Sequence, residues 1–388
     1  MNRRAVILVL DGVGIGVAHD AEAYGDAGSD TLGNIANAVG GMMLPSLDRL
    51  GLGRCAPIRG LSNQGDVEAA WGTMQPQSAG KDSTTGHWEI AGLHLAQPFP
   101  TFPNGFPRDL VAEFSRRTRR GVLGNSTGSG TAMIERFATE QAETGSWIVY
   151  TSADSVFQVA AHEGWIPLQE LYRACEVARV LLAGEYGVSR VIARPFLGAA
   201  GEYRRTPNRR DFSIAPTGTT LLDELERGGI PRFGVGKVDD LFAGRGIVSR
   251  HTADNTEGIR AIVEWLDGSG GGLLFANLVD FDQQYGHRND VAGFYGALRQ
   301  FDEALPSMLG RLRERDLFAI TADHGNDPTT PSTDHTRERV PVLITGSQVR
   351  ARAIGERPTF SDLGATVAEW FGLVWRGRGQ SFLPEIVV

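Results

Sequence analysis

Sulfur is nearly missing from this chain: Cys55 and Cys175 are its two cysteines in 388 residues. So few thiols, so far apart, argue against a disulfide framework and against a thiolate-rich zinc site. Cys175 falls in line with Leu168, Leu171 and Leu182, a helical apolar stripe, and reads as a buried packing residue. Long apolar runs are missing as well. The run AVILVL superficially resembles a signal peptide, but it is short, stops at Asp11 and has no small-residue cleavage site, so it reads as a first β-strand. No later run is long enough to span a bilayer. A positive excess is also absent: 38 Lys and Arg against 46 Asp and Glu leave a net charge of −8. That argues against nonspecific binding to nucleic acid or membrane, though a local phosphate pocket stays open. The chain reads as cytoplasmic, with neither a nucleic-acid nor a membrane partner.

Glycine, by contrast, is plentiful at 50 residues, which suits many tight strand-to-helix turns. The length suits two domains. Strand-like runs at Ala5–Leu10, Trp147–Thr151, Val191–Ala193, Phe233–Val235, Leu273–Val279, Leu317–Thr321 and Val340–Ile344 alternate with helical patterns, which favours an α/β fold with a mostly parallel sheet between helices. Phe294, Leu298, Phe301, Leu305 and Met308 form the core stripe of a helix over about 293–309. A second helix is expected after Ser361 as N-cap, closed by Gly372. A third lies near Leu168–Leu182. Metal-type residues divide between 11–89 and 282–335. The stretch between has its own strands and helix, so an α/β domain inserted as a cap over about 97–212 is expected, with the catalytic core at 1–96 and 213–388.

Three apolar runs end in acids. AVILVL runs into Asp11; LLFANLVDFD ends in Asp282, with His287 after it; LFAITADHG carries Asp323 and His324, with His335 further on. In open α/β sheets, ligands bind at the carboxyl ends of the strands. Six carboxylate and imidazole ligands there are enough for two divalent ions, and the mix suits Mn²⁺ or Zn²⁺, with Mg²⁺ also open. Alternation along a strand would point Asp280 and Asp282 the same way. Asp11 alone would read as a turn or cap, and its LDGVGIG context resembles a nucleotide-binding turn only loosely. The cluster KDSTTGHWE (81–89) offers a nucleophilic hydroxyl, Thr85 or Ser83, which a bound metal would activate. The bland alternative is a polar turn. Arg194, the RRTPNRR stretch and Lys237 supply cationic side chains, and arginine suits bidentate phosphate contact. Ser152 and Asp154 after the Trp147–Thr151 strand suit sugar hydroxyls. A two-metal nucleophile site facing arginines suggests phosphoryl transfer.

The motifs GKDSTTGHWE, TSADSVFQ, ARPF, NLVDFD…YGHR, ADHGNDPT and TDHTRE, in this order, resemble the prokaryotic phosphopentomutase family of the alkaline phosphatase superfamily, over essentially the whole chain. The resemblance implies an alkaline-phosphatase-like core with an inserted cap, two divalent ions, usually Mn²⁺, and a phosphothreonine at Thr85. It implies Asp11, Asp323 and His324 as ligands of one ion, and Asp282, His287 and His335 as ligands of the other. It implies Ser152, Asp154, Arg194 and Lys237 as substrate contacts. The implied reaction interconverts α-ribose 1-phosphate and ribose 5-phosphate, and the 2-deoxy forms, through a 1,5-bisphosphate. A sugar bisphosphate (glucose 1,6-bisphosphate or ribose 1,5-bisphosphate) primes it. The implied setting is nucleoside salvage; a cytoplasmic monomer is expected, since nothing in the sequence demands an interface. Ser83 stands where the family pattern suggests threonine, and Ser332 and Arg339 also depart from it. Two other readings remain at this stage: a cofactor-independent phosphoglycerate mutase, and a metal-dependent phosphatase or phosphodiesterase. A metal-stabilised binding module is a third, argued against by complete ligand and nucleophile sets.

Overall fold

The computed structural model describes residues 3–152 and 154–387. It divides into two compact units, 1–97 with 216–388 and 98–215. The expected edges of the insertion, about 97 and 212, lie close to these.

The first unit is built on an eight-stranded sheet. Its strands are β1 (Arg4–Leu10), β2 (Ala70–Met74), β3 (Arg232–Val235), β4 (Ser249–Arg250), β5 (Gly272–Leu278), β6 (Asp316–Thr321), β7 (Val340–Thr345) and β8 (Arg352–Arg357). They lie side by side in the order β4-β3-β5-β1-β6-β7-β2-β8. All pairings are parallel except those of β7, which runs against both neighbours. β1, β5 and β6 are buried along their whole length, which is why they read as continuous apolar runs rather than alternating ones. One charged side chain is buried in β1. The Arg4 guanidinium donates to Asp316 on β6 (Nε to Oδ1, 2.9 Å) and to the Leu266 carbonyl (2.7 Å), so its charge is paired and its donors are engaged.

Register explains where the acids go. Leu10 pairs with Leu278, and Val9 with Thr321. The three central strands therefore end at one level, and the residues that follow them open onto one edge. Helix Val291–Leu309 buries Phe294, Leu298, Phe301, Leu305 and Met308, the stripe read from the sequence. Helix Ser361–Trp370 differs from expectation at its start: Phe360 is the N-cap and Ser361 is the first helical residue. The Ser361 hydroxyl donates instead to the Glu89 carbonyl (2.6 Å).

The second unit carries a six-stranded sheet that includes Trp147–Thr151, Val156–His162 and Arg190–Leu197. Helix Leu168–Leu181 packs Leu171, Ala174 and Cys175 into a core with Phe114, Trp147 and Phe157. Leu168 is only half-buried.

Candidate active site

Each site acid sits in the first turn after a central strand. Asp11 follows β1, and its N–H bonds to the Leu278 carbonyl of β5 (3.2 Å). After β5 the chain does not continue extended. It enters a π-turn at Phe281–Tyr285, so the alternation expected for Asp280 and Asp282 fails. Asp280 turns away and accepts from the Asn255 N–H (2.8 Å), while Asp282 faces the site. His287 follows in a 3₁₀ turn, Gly286–Arg288. After β6 come Asp323 and His324. His335 is held opposite by a two-residue bridge between Gly325 and Thr336.

These residues converge. Ligand atoms of Asp282, His287 and His335 lie within 4.8 Å of one another, and so do those of Asp11, Asp282 and His324. Asp282 belongs to both groups: its Oδ2 is 3.3 Å from His287 Nε2 and its Oδ1 is 3.4 Å from His335 Nε2. Asp323 stands at the margin. Its Oδ1 accepts from Gly12 N–H (3.2 Å) and its Oδ2 is 3.5 Å from His324 Nε2 and 3.1 Å from His87 Nδ1. Asp11, Asp282, Asp323, His324 and His335 are buried, and His287 is half-buried.

The charges follow from this crowding. Burial alone would raise the Asp11 carboxyl, but the Lys237 ammonium, 2.7 Å away, and His324 outweigh it and hold the group low. Asp282 is held well below its usual range against the same burial penalty, by His335 and His287. His324 is buried, which should lower it, yet Asp323, Asp11 and Asp282 lift it to about 10. Three buried carboxylates thus demand positive charge at close range. Asp11 Oδ2 and Asp323 Oδ2 are buried and each lies against a side-chain nitrogen, Lys237 Nζ at 2.7 Å and His87 Nδ1 at 3.1 Å. Clustered oxygen and imidazole donors, with the carboxyls of Asp11 and Asp282 held low, together fit divalent cations.

Helix Ser83–Ile90 brings the hydroxyls. Asp82 caps it, and the two candidates then part company. The Thr85 hydroxyl donates to the Asp82 carboxylate (Oγ1 to Oδ2, 2.6 Å), whose other oxygen accepts the Thr85 N–H (3.2 Å). The Ser83 hydroxyl lies instead 3.4 Å from Asp11 Oδ1, 3.3 Å from His324 Nε2 and 3.3 Å from Lys237 Nζ. Ser83, not Thr85, is the hydroxyl inside the carboxylate–imidazole cluster. Lys237, expected to meet substrate, contacts Asp11 and Ser83 directly.

Ser152, Asp154 and Arg194 belong to the second unit. Ser152 and Asp154 follow the Trp147–Thr151 strand, and both are half-buried. Arg194 donates to Gln158 (Nε to Oε1, 3.0 Å), and burial, with Arg209 and Arg205 nearby, brings its guanidinium down to about 10. It stays charged at neutral pH.

Sequence reasoning gave no role to His87, whose Nδ1 donates to the Ser83 carbonyl (2.9 Å), or to Asn326, whose amide donates to Asp282 (Nδ2 to Oδ1, 2.7 Å). Both lie inside motifs already noticed, GHWE and ADHGND. Only their position one residue from other polar groups could have flagged them.

The fold and the site are those of a metal-dependent α/β enzyme, and the model of the metalloenzyme superfamily matches residues 3–374. A phosphopentomutase of Carboxydothermus hydrogenoformans is 55% identical over 99% of this chain and 99% of its own. One from Caldanaerobacter subterraneus is 52% identical over 100% of this chain and 98% of its own. The chain belongs to the phosphopentomutase family. In overall fold it is also similar to phosphoglycerate mutase of Leishmania mexicana, at a TM-score of 0.50 and 12% identity over 98% of this chain and 97% of that one.

Proposed function

We propose that the enzyme interconverts α-D-ribose 1-phosphate and D-ribose 5-phosphate, and the 2-deoxyribose forms, through a phosphoserine at Ser83 and a 1,5-bisphosphate intermediate. The observation that carries this reading is the Ser83 hydroxyl, set among Asp11, His324 and Lys237 in a phosphopentomutase chain. It replaces the phosphothreonine expected at Thr85, whose hydroxyl proton is committed to Asp82.

In the forward half-reaction the P–O bond to Ser83 breaks as the free hydroxyl of the sugar monophosphate bonds to phosphorus. The proton of that hydroxyl ends on the Ser83 oxygen. The return half-reaction moves the sugar's original phosphoryl group to Ser83. Asp282, His287 and His335 would hold one divalent ion, and Asp11, Asp323 and His324 the other, with Asp282 adjoining both. Such ions, when bound, neutralise phosphoryl charge and lower the pKa of a hydroxyl nucleophile. Lys237 keeps a fixed positive charge beside the Ser83 oxygen and so favours both its alkoxide and its phosphate ester. Arg194 supplies a guanidinium for phosphate, and Ser152 and Asp154 supply hydrogen-bonding groups for the sugar. Mn²⁺ is the proposed metal, from the carboxylate and imidazole donor set. A sugar bisphosphate, glucose 1,6-bisphosphate or ribose 1,5-bisphosphate, is the proposed primer. The proposed setting is nucleoside salvage by a cytoplasmic monomer acting on free pentose phosphates, with no nucleic-acid or membrane partner. Among the described residues no helix is long and apolar enough to cross a membrane.

The test is an assay with Mn²⁺, ribose 1-phosphate and a trace of glucose 1,6-bisphosphate, following ribose 5-phosphate and inorganic phosphate together. Ser83→Ala should abolish isomerisation and leave no phosphopeptide over residues 81–89. Thr85→Ala should retain the phosphate on Ser83. A phosphothreonine at 85 in the parent would overturn the assignment. Phosphate release without isomerisation would make the enzyme a phosphatase.

A further inference from the structure

The glycines of LDGVGIG make room for the protein's own side chains. A methyl on Gly14 would overlap the Glu338 carboxylate, and one on Gly325 would do the same. At Gly12, where φ is +77°, a Cβ would sit 3.1 Å from that of Asn326 and 3.3 Å from that of Asp282. The room these glycines leave is filled by a connected polar set. Glu338, buried, accepts from the Thr31 hydroxyl (Oε1, 2.8 Å), from the Thr31 N–H (Oε2, 2.9 Å) and from the Thr336 hydroxyl (Oε1, 2.6 Å). The Thr31 oxygen in turn accepts the Asn326 N–H (3.1 Å). The Asn326 side chain then reaches Asp282 (2.7 Å).

Each member anchors a different segment. Thr31 opens helix Thr31–Ala38. Asn326 lies two residues beyond His324, and Thr336 next to His335. The segments that carry His324 and His335, and through Asn326 that of Asp282, are therefore connected to one carboxylate. Thr31 is the joint: its single oxygen donates to Glu338 and accepts from Asn326, so both bonds are lost if that hydroxyl is removed.

We propose that Thr31, Asn326 and Glu338 are positioning residues for the metal pair: Glu338 locks Thr31, Thr31 locks Asn326, and Asn326 fixes the carboxylate plane of Asp282, the acid adjoining both ion sites. The inference rests on the metal reading above. Carboxylate ligands are oriented by such outer partners, whose loss lowers metal affinity by about 10–100-fold.

Mn²⁺ binding is the readout, measured on the full chain as free ion by electron paramagnetic resonance, without substrate. Thr31→Val keeps the shape and removes the hydroxyl, whereas Thr31→Ser keeps the hydroxyl. Thr31→Val and Asn326→Leu should each weaken Mn²⁺ binding about 10–100-fold, while Thr31→Ser stays near the parent. Melting of the metal-free proteins in chelator checks that each variant is folded. Folded Thr31→Val or Asn326→Leu protein that binds Mn²⁺ as the parent does overturns the inference alone. A parent that takes up no Mn²⁺ overturns the metal reading, and this inference with it.

Discussion

At the scale of single residues, Glu338 is a fully buried carboxyl outside the proposed ligand set. Burial, with Asp327 adding to it, lifts its carboxyl to about 7 from the ordinary 4.5, against the pull of the Thr336 and Thr31 hydrogen bonds. A raised acid holds its proton in the folded state after the unfolded chain has lost it. Its contribution to stability is therefore complete below about pH 4.5 and is lost as pH rises through about 7. In metal-free protein, denaturant unfolding should show the parent losing up to about 3 kcal/mol more than Glu338→Gln between pH 4.5 and 8. Equal losses would remove Glu338 as the cause. The gathering of Asp11, Asp282, His287, His324 and His335, with Asp323 at the margin, was legible because each acid or imidazole lies in or beyond a loop that follows a buried strand, a pattern visible in one dimension. Which hydroxyl lies beside them was not. In DSTT, Ser83 and Thr85 are two helical residues apart, about 200° around the axis. They face nearly opposite ways, and the choice between them depends on how the helix is rotated, which spacing does not encode.

At the scale of elements, helix Ser83–Ile90 is held by its start and by one close approach. Asp82 caps it through the Thr85 N–H, so Asp82→Ala should cost about 1 kcal/mol in chemical denaturation. Gly86 lies against the Asp323 backbone, where a methyl would overlap the carbonyl. Gly86→Ala should push the helix off the end of β6, separate Ser83 from Asp11, and lower isomerase activity by at least about tenfold, a factor worth about 1.4 kcal/mol of barrier. Retained activity would mean the helix can slide without loss. Strands and long helices were readable from apolar runs and stripes. The π-turn after β5 was not, because it begins where the apolar run ends and depends on packing against Phe294 rather than on local propensity. The Ser361 cap failed for a similar reason: its hydroxyl found a tertiary acceptor, the Glu89 carbonyl, in place of its own helix.

At the scale of the whole molecule, an insertion over about 97–212 is what the sequence points to, because both linkers are rich in proline, glycine or charge and the metal-type residues lie on either side of it. The unit 98–215 has internal cores around Trp147, Phe157 and Cys175 and around Ile148, Tyr150 and Phe196. Expressed alone, residues 98–215 should melt cooperatively, and a broad, non-cooperative transition would show that its cores need the rest of the chain. Chelator should lower the melting temperature of the full protein and leave that of the isolated fragment unchanged, since Asp11, Asp282, His287, Asp323, His324 and His335 all lie outside it.

β1 sits at the centre of its sheet, yet both strands that flank it, Gly272–Leu278 and Asp316–Thr321, lie more than 250 residues later in the chain. On the ribosome, at about 5–20 residues per second, the segment AVILVL emerges on the order of tens of seconds before either partner exists. During that interval an entire apolar strand and the first metal-site carboxylate have nothing to pair with, while residues 98–215 can already fold. Pulse-labelled nascent chains stalled just before Gly272 should therefore protect the insertion from protease and leave Arg4–Leu10 open to cleavage and to chaperone capture. The catalytic centre cannot come together until His324 and His335, in the C-terminal third, have been made.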